Sequence, residues 1–180
     1  MASQHIVYFG LGSNLGDRQA NLVEAVQSLR AQVHMDQLSS VYETEPAYVT
    51  DQPRFLNMAA RGVTALKPDE LLAFLKRIEQ RMGRRQTERY GPRPIDLDIL
   101  SFDGHCVTDT EHELIVPHPR FHERRFALEP VAELDPGLLP WRNCSDLRVD
   151  VSVADLLATV ANQEVMRVGG PDWADPQSRS

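Results

Sequence analysis

The run RPIDLDIL, Arg93 to Leu100, alternates acidic and apolar side chains at a period of two, the signature of a β-strand with two unlike faces. Ile95, Leu97 and Ile99 project to one side and into a core. Asp96 and Asp98 project together to the other, roughly 7 Å apart along the backbone. A sheet built on such a strand has one face to bury and one that carries charge. Helices are therefore expected on a single face, leaving the opposite face and its loops for a site. Two ionised carboxylates side by side repel, and a hard cation relieves the repulsion. Mg²⁺ takes oxygen ligands, usually one or two carboxylates with water and substrate phosphates, and a pair of ions about 3.5–4 Å apart could be bridged by this unit. A solvated polar strand face is the plainer alternative.

The approach to this strand is cationic. Arg81, Arg84, Arg85, Arg89 and Arg93 fall within one short stretch, and the glycines and prolines from Gly83 to Pro94 mark it as a loop. Guanidinium forks match phosphate oxygens, so a cationic loop running into an acid-bearing strand suits a triphosphate clamp. A solvated charge run paired with surface acids is the alternative. The whole chain is acidic, with 19 Lys+Arg against 26 Asp+Glu and a net charge of −7, which disfavours a general role on nucleic acid. No glycine loop ending in Lys-Ser/Thr is present, and GLGSNLG (Gly10–Gly16) matches a dinucleotide fingerprint only superficially. Phosphates would have to be held by arginines and metal. In VPHPRFHERRF, His118 and His122 lack a third ligand in register for a zinc site, and His118 and Arg124 suit a nucleotide better.

The remaining pattern gives an element order. IVYFGLG (Ile6–Gly12) reads as a buried strand, and a helix follows from an Asp17 N-cap with Leu22, Val26 and Leu29 on one face. LSSVYETEP (Leu38–Pro46) and FLNMAARGVTAL (Phe55–Leu66) read as strands joined by a long loop. A helix then opens at Pro68, lines up Leu71, Leu75, Ile78 and Met82, and stops at Gly83. ELIVPHPRF breaks a short strand at Pro117, and RRFALEPVAEL and VSVADLLATVAN read as helices, the second with Ser152 as a cap. Strand, helix, strand, strand, helix, strand over Ile6–Phe102 is the split β-α-β order of a ferredoxin-like α+β sheet, with additional C-terminal helices. A doubly wound parallel sheet would need more alternation.

The 180 residues, 42% hydrophobic, suffice for one domain spanning 1–180, with a tail from about residue 169 expected to be loosely ordered. Without a basic leader or a run of ~20 apolar residues, a cytoplasmic protein with no membrane attachment is expected. Cys106 and Cys144 are too few for a disulfide framework, so two free thiols are expected.

GLGSNLGDR, SSVYETEP, DQPRFLN, RYGPRPIDLDIL and VPHPRFHERRFAL, in collinear order over roughly the first 130 residues, resemble the 6-hydroxymethyl-7,8-dihydropterin pyrophosphokinase family of folate biosynthesis. RYGPRPIDLDIL is the most specific of these pieces. The resemblance implies transfer of pyrophosphate from ATP to 6-hydroxymethyl-7,8-dihydropterin, giving AMP and the pterin diphosphate, by a monomer. It implies two Mg²⁺ ions on Asp96 and Asp98, with Arg84, Arg93 and Asp98 as the catalytic groups. The nucleotide would meet Glu79, Arg89, Tyr90, Ile99, His118 and Arg124, and the pterin Gly12, Thr44, Phe55, Asn57 and Phe126. A flat heterocycle between two aromatic rings, read on its edge by an amide, is physically sensible. Two positions depart from the family: Gln86 stands where many members carry arginine, leaving Arg85 as a substitute, and Glu45 stands where proline is usual. The loops Tyr42–Phe55 and Gly83–Pro94 are natural lids over such a site. A nucleotide-binding module without chemistry and a metal-dependent nuclease are the rival readings.

Overall fold

The computed structural model describes residues 3–47, 50–84 and 91–175. In chain order it contains β1 (His5–Ser13), α1 (Arg18–Leu29), β2 (His34–Leu38), β3 (Val41–Thr44), β4 (Phe55–Thr64), α2 (Pro68–Arg81), β5 (Asp96–Phe102), β6 (Val107–Asp109), β7 (Leu114–Val116), α3 (Arg125–Leu134), α4 (Val153–Thr159) and β8 (Met166–Gly169). The main sheet is antiparallel in the order β5-β1-β4-β3-β8, with β2 pairing on β4 beside β3. β6 and β7 form a separate hairpin.

The register explains why one sheet carries two kinds of surface. Phe9, Leu11, Met58, Leu97 and Ile99 point to the face covered by α1 and α2, where they meet Leu22, Val26, Leu29, Leu71, Leu75 and Ile78 in one buried cluster. α1 starts where expected, with the Asp17 carboxylate accepting from the Ala20 amide at 3.0 Å. α2 opens on Pro68, and the Lys67 amide is met by Glu70 at 2.8 Å. Gly83, at φ 88°, ends the run in a conformation that disfavours other residues. Truncating fully buried Phe9 to alanine would cost roughly 3–5 kcal/mol, so this face fixes the strands that carry the polar side.

Three expectations are corrected. Helices occupy both sheet faces: α3, α4 and the turn at Phe121 bury Tyr8, Ala59 and Leu100 on the second face, together with Trp141 and Val153. Leu100 follows Asp96 and Asp98 onto this face by strand alternation, and the register shift in the β1–β5 pairing at Tyr8/Phe9 comes after it, with Phe102 back in the first cluster. The site therefore shares the face with a second core instead of having it free. Cys106 and Cys144 are joined in a disulfide, their Cα atoms 5.3 Å apart. It forms because the Asn143 amide docks on the Gly104 carbonyl at 2.9 Å and brings distant segments together, a contact that spacing alone does not reveal. The tail is docked as far as Asp175: β8 extends the sheet, Trp173 packs against the first cluster and Ala174 is buried. Among the described residues no helix is long and apolar enough to cross a membrane.

Candidate active site

Gly10 and Gly12 of β1 form the floor of a cavity of about 250 Å³ on the second face. Gly10 pairs with Asp98 and Gly12 with Asp96 on β5, while Gly12 pairs with Asn57 on β4. Bare backbone thus separates an acidic wall from an amide wall. The glycine at 12 is required by a close approach: a Cβ there would lie 2.9 Å from the Asn57 Oδ1 and 3.6 Å from the Phe55 ring. Asn57 and Thr44 are buried, and the Asn57 Nδ2 donates to the Thr44 Oγ1 at 2.8 Å. Phe55 and Phe126 are only half-buried and line the cavity, Phe126 also packing against the second cluster.

The acidic end is densely charged. Arg84 donates to Asp96 at 2.7 Å and to Glu79, and Arg93 donates to the other Asp96 oxygen at 3.2 Å. Glu79 is buried beneath them and also accepts from the Leu97 amide at 2.8 Å, tying α2 to β5. Burial raises its pKa, which Arg84 partly offsets. Among the described residues Asp98 accepts no such fork. Burial, then the neighbouring Asp96 charge, pushes its carboxyl up to about 7. His118 is driven down to about 4 by burial and by Arg124, and is therefore neutral at pH 7. Its Nε2 lies 3.5 Å from the Arg124 guanidinium, which in turn sits 5.6 Å from the Phe126 ring centre. Arg124 and His118 are presented by the 3-10 turn Phe121–Glu123 and its flanks, immediately before α3 delivers Phe126.

The Asp96–Asp98 pair fits a divalent ion bound in part by substrate. Among the described residues no third His, Cys, Asp or Glu completes a cluster around it. Water and phosphate oxygens would supply the remaining positions, the usual habit of Mg²⁺. The raised Asp98 pKa comes first from burial and then from the Asp96 charge, costs that a bound cation would relieve.

The model of the family described as 7,8-dihydro-6-hydroxymethylpterin-pyrophosphokinase (HPPK) matches residues 8–136. The chain belongs to the HPPK family. It is 48% identical over 132 residues to the 2-amino-4-hydroxy-6-hydroxymethyldihydropteridine pyrophosphokinase of Bacillus subtilis (strain 168), covering 72% of this chain and 78% of that one. It is 51% identical over 130 residues to an Arabidopsis thaliana folate synthesis bifunctional protein, covering 71% of this chain and 26% of that one. The chain thus spans about a quarter of the length of such bifunctional relatives. The crystal structure of wild-type Plasmodium falciparum HPPK-DHPS with SDX-DHP superposes with a TM-score of 0.66 over 89% of this chain and 45% of that one. At 14% identity the match speaks for the fold alone.

Against the residues that HPPK resemblance singles out, the cavity gathers Gly12, Thr44, Phe55, Asn57, Arg84, Arg93, Asp96, Asp98, His118, Arg124 and Phe126. Two do not line it. The Ile99 side chain is in the core beneath α1 and α2, on the wrong face of β5 to touch a ligand, and Glu79 lies below the floor, where it holds Arg84. Arg85, Gln86, Arg89 and Tyr90 lie outside the described residues. Glu45 borders the cavity and pairs with Arg54 across the start of β4. Sequence reasoning missed Asn14, which is buried behind the site. Its Oδ1 accepts from the Arg93 amide at 2.9 Å, and its Nδ2 donates to the Gln52 Oε1 at 3.0 Å and the Pro53 carbonyl at 3.2 Å. The signal was an amide in GSN directly after a buried strand, which read as a turn residue.

Proposed function

We propose that the chain transfers pyrophosphate from ATP to 6-hydroxymethyl-7,8-dihydropterin, giving AMP and the pterin diphosphate in folate biosynthesis. The observation that carries this is one cavity with two chemically distinct ends on a shared glycine floor. One end has Asp96 and Asp98 with Arg84 and Arg93; the other has the Asn57–Thr44 pair together with Phe55 and Phe126. The first suits a polyphosphate and the second a flat heterocycle with donor and acceptor edges.

Phe55 and Phe126 sandwich the pterin, and Asn57, pinned by Thr44, reads its edge. Arg124 and neutral His118 take the nucleotide side, and Arg84 and Arg93 exchange part of their grip on Asp96 for phosphate oxygens. The pterin hydroxyl oxygen bonds to the β-phosphorus as the bond from that phosphorus to the α,β-bridging oxygen breaks. AMP leaves with the electron pair, and the hydroxyl proton passes to an Asp98 oxygen or to water. Positioning and charge stabilisation carry most of the acceleration. Two Mg²⁺ ions bound at Asp96 and Asp98 would supply neutralisation of phosphate charge. The working unit of this proposal is a monomer.

The test is AMP formation from ATP. It should require both the dihydropterin and Mg²⁺. Binding of Mg-ATP with no AMP on adding the pterin would identify a binding module instead, and AMP-independent cleavage of DNA would identify a nuclease.

A further inference from the structure

We propose that Met166–Asp175 is a positioning strap for the pterin-side wall, with Arg167 as its working residue and Trp173 and Asp175 as its anchors. The inference rests on the function proposed above. The strap lies well beyond the family match, which ends at residue 136.

The strap's place in the sheet is the first argument. β3 is only four residues long, yet its last residue, Thr44, holds Asn57. β8 pairs along it, setting Gly169 against Val41, Arg167 against Tyr42 and Met166 against Glu43, so the strand that carries Thr44 is flanked on both sides. β8 contributes little to the core: Met166 is 53% and Val168 38% exposed. Burial of apolar surface therefore does not explain the pairing.

Hydrogen bonding is the second. The Arg167 Nε donates to the Ser40 Oγ at 2.8 Å, and that hydroxyl donates to the Glu133 Oε1 at 2.8 Å. The Tyr42 hydroxyl donates to the Glu133 Oε2 at 2.8 Å. Glu133 belongs to α3, the helix whose first turn carries Phe126. One carboxylate thus joins the strand bearing Thr44 to the helix bearing Phe126, and Arg167 closes the network from the strap.

The far end is fastened to α1. The Trp173 ring occupies the space over Gly169, where a Cβ would meet it at 2.6 Å, and the Gln19 Nε2 donates to the Trp173 carbonyl at 3.1 Å. The Arg30 fork grips both Asp175 oxygens at 3.2 and 2.7 Å. Preorganising a binding wall in this way raises affinity by removing the ordering cost from the binding step.

The experiment uses the full chain with Arg30→Asp, Asp175→Arg, the double charge swap, and Arg167→Ala, all at positions away from the cavity. In the single variants, KM for the dihydropterin should rise about five- to tenfold while KM for ATP stays within about twofold. Amide exchange over Val41–Thr44, measured without substrates, should accelerate, and the swap should restore both. Proportional changes in both KM values that track a fall in Tm would reduce the strap to general support and overturn the proposal. So would faster exchange with an unchanged pterin KM. If the unmodified chain forms no AMP, the functional reading fails, while exchange in the substrate-free variants still reports whether the strap orders β3; unchanged exchange there sinks the strap on its own.

Discussion

Replacing Asn14 with alanine removes three hydrogen bonds made by one amide that is 1% exposed. That amide joins the segment entering β5, through the Arg93 backbone, to the segment entering β4, through Gln52 and Pro53. Each bond is worth about 0.5–1.5 kcal/mol net, but the losses are unequal. Pro53 is exposed and its carbonyl recovers water, whereas the Arg93 amide loses its side-chain acceptor in a half-buried position. The expected cost is therefore about 2 kcal/mol rather than the full sum, or a Tm fall of roughly 4–8 °C. Turnover should suffer more than stability implies, because Arg93 and the loop before Phe55 lose their common reference; about a tenfold fall in kcat is expected. Asn14→Asp keeps the acceptor for the Arg93 amide but sets a buried carboxylate oxygen against the Gln52 and Pro53 oxygens, so it should cost at least as much as alanine. Urea unfolding with steady-state kinetics gives the answer. A stability change under about 0.5 kcal/mol with unaltered kcat would refute the view that this amide aligns the two ends of the site.

Gly12→Ala drives a Cβ to 2.9 Å from the Asn57 Oδ1; overpacking of this kind costs about 1–3 kcal/mol, and pterin affinity should drop at least tenfold with ATP affinity kept, as calorimetry on each ligand can check. Equal loss of both would point to a collapsed floor instead. Glu79→Ala removes one of the two carboxylates that hold Arg84, which keeps Asp96, and leaves the buried Leu97 amide without its acceptor, so unfolding in urea should show a loss of about 1–3 kcal/mol, while Glu79→Gln, which can still accept from Leu97, should lose less; equal losses would deny the Leu97 bond its role. His118 has a native pKa near 4, below its ordinary 6.5, so the unfolded chain binds the extra proton between those values. Its contribution is complete above pH 6.5 and is lost as pH falls toward 4. The stability difference between the wild type and His118→Gln should drift against the wild type by about 2 kcal/mol over that window, and a flat difference would contradict a desolvated imidazole.

The elements with strong periodicity were legible because burial enforces their pattern. Leu22, Val26 and Leu29 on α1, and Leu71, Leu75 and Ile78 on α2, could only face a sheet, and Asp96 and Asp98 could only share its opposite face. β8 was not legible, since Met166 and Val168 are exposed and give the strand no apolar signature. β2 was missed for the same reason, HMDQL being mostly exposed. The Cys106–Cys144 pairing depends on the segment after α3 folding back onto the β5–β6 turn, a tertiary event. In the candidate site, residue types indicated the chemistry of each wall, but not that Ile99 faces the core or that Glu79 acts beneath Arg84. Strand phase decides the first, and the approach of α2 to β5 decides the second.

In the proposed function the Asp96–Asp98 pair meets polyphosphate only with a divalent ion between them. Calorimetric titration of a nonhydrolysable ATP analogue, with and without Mg²⁺, into the wild type and Asp98→Ala tests it most directly. Mg²⁺ should tighten binding to the wild type by at least about tenfold, and most of that gain should vanish in the variant. Equal affinity with and without the ion in the wild type, or an undiminished gain in Asp98→Ala, would contradict the account.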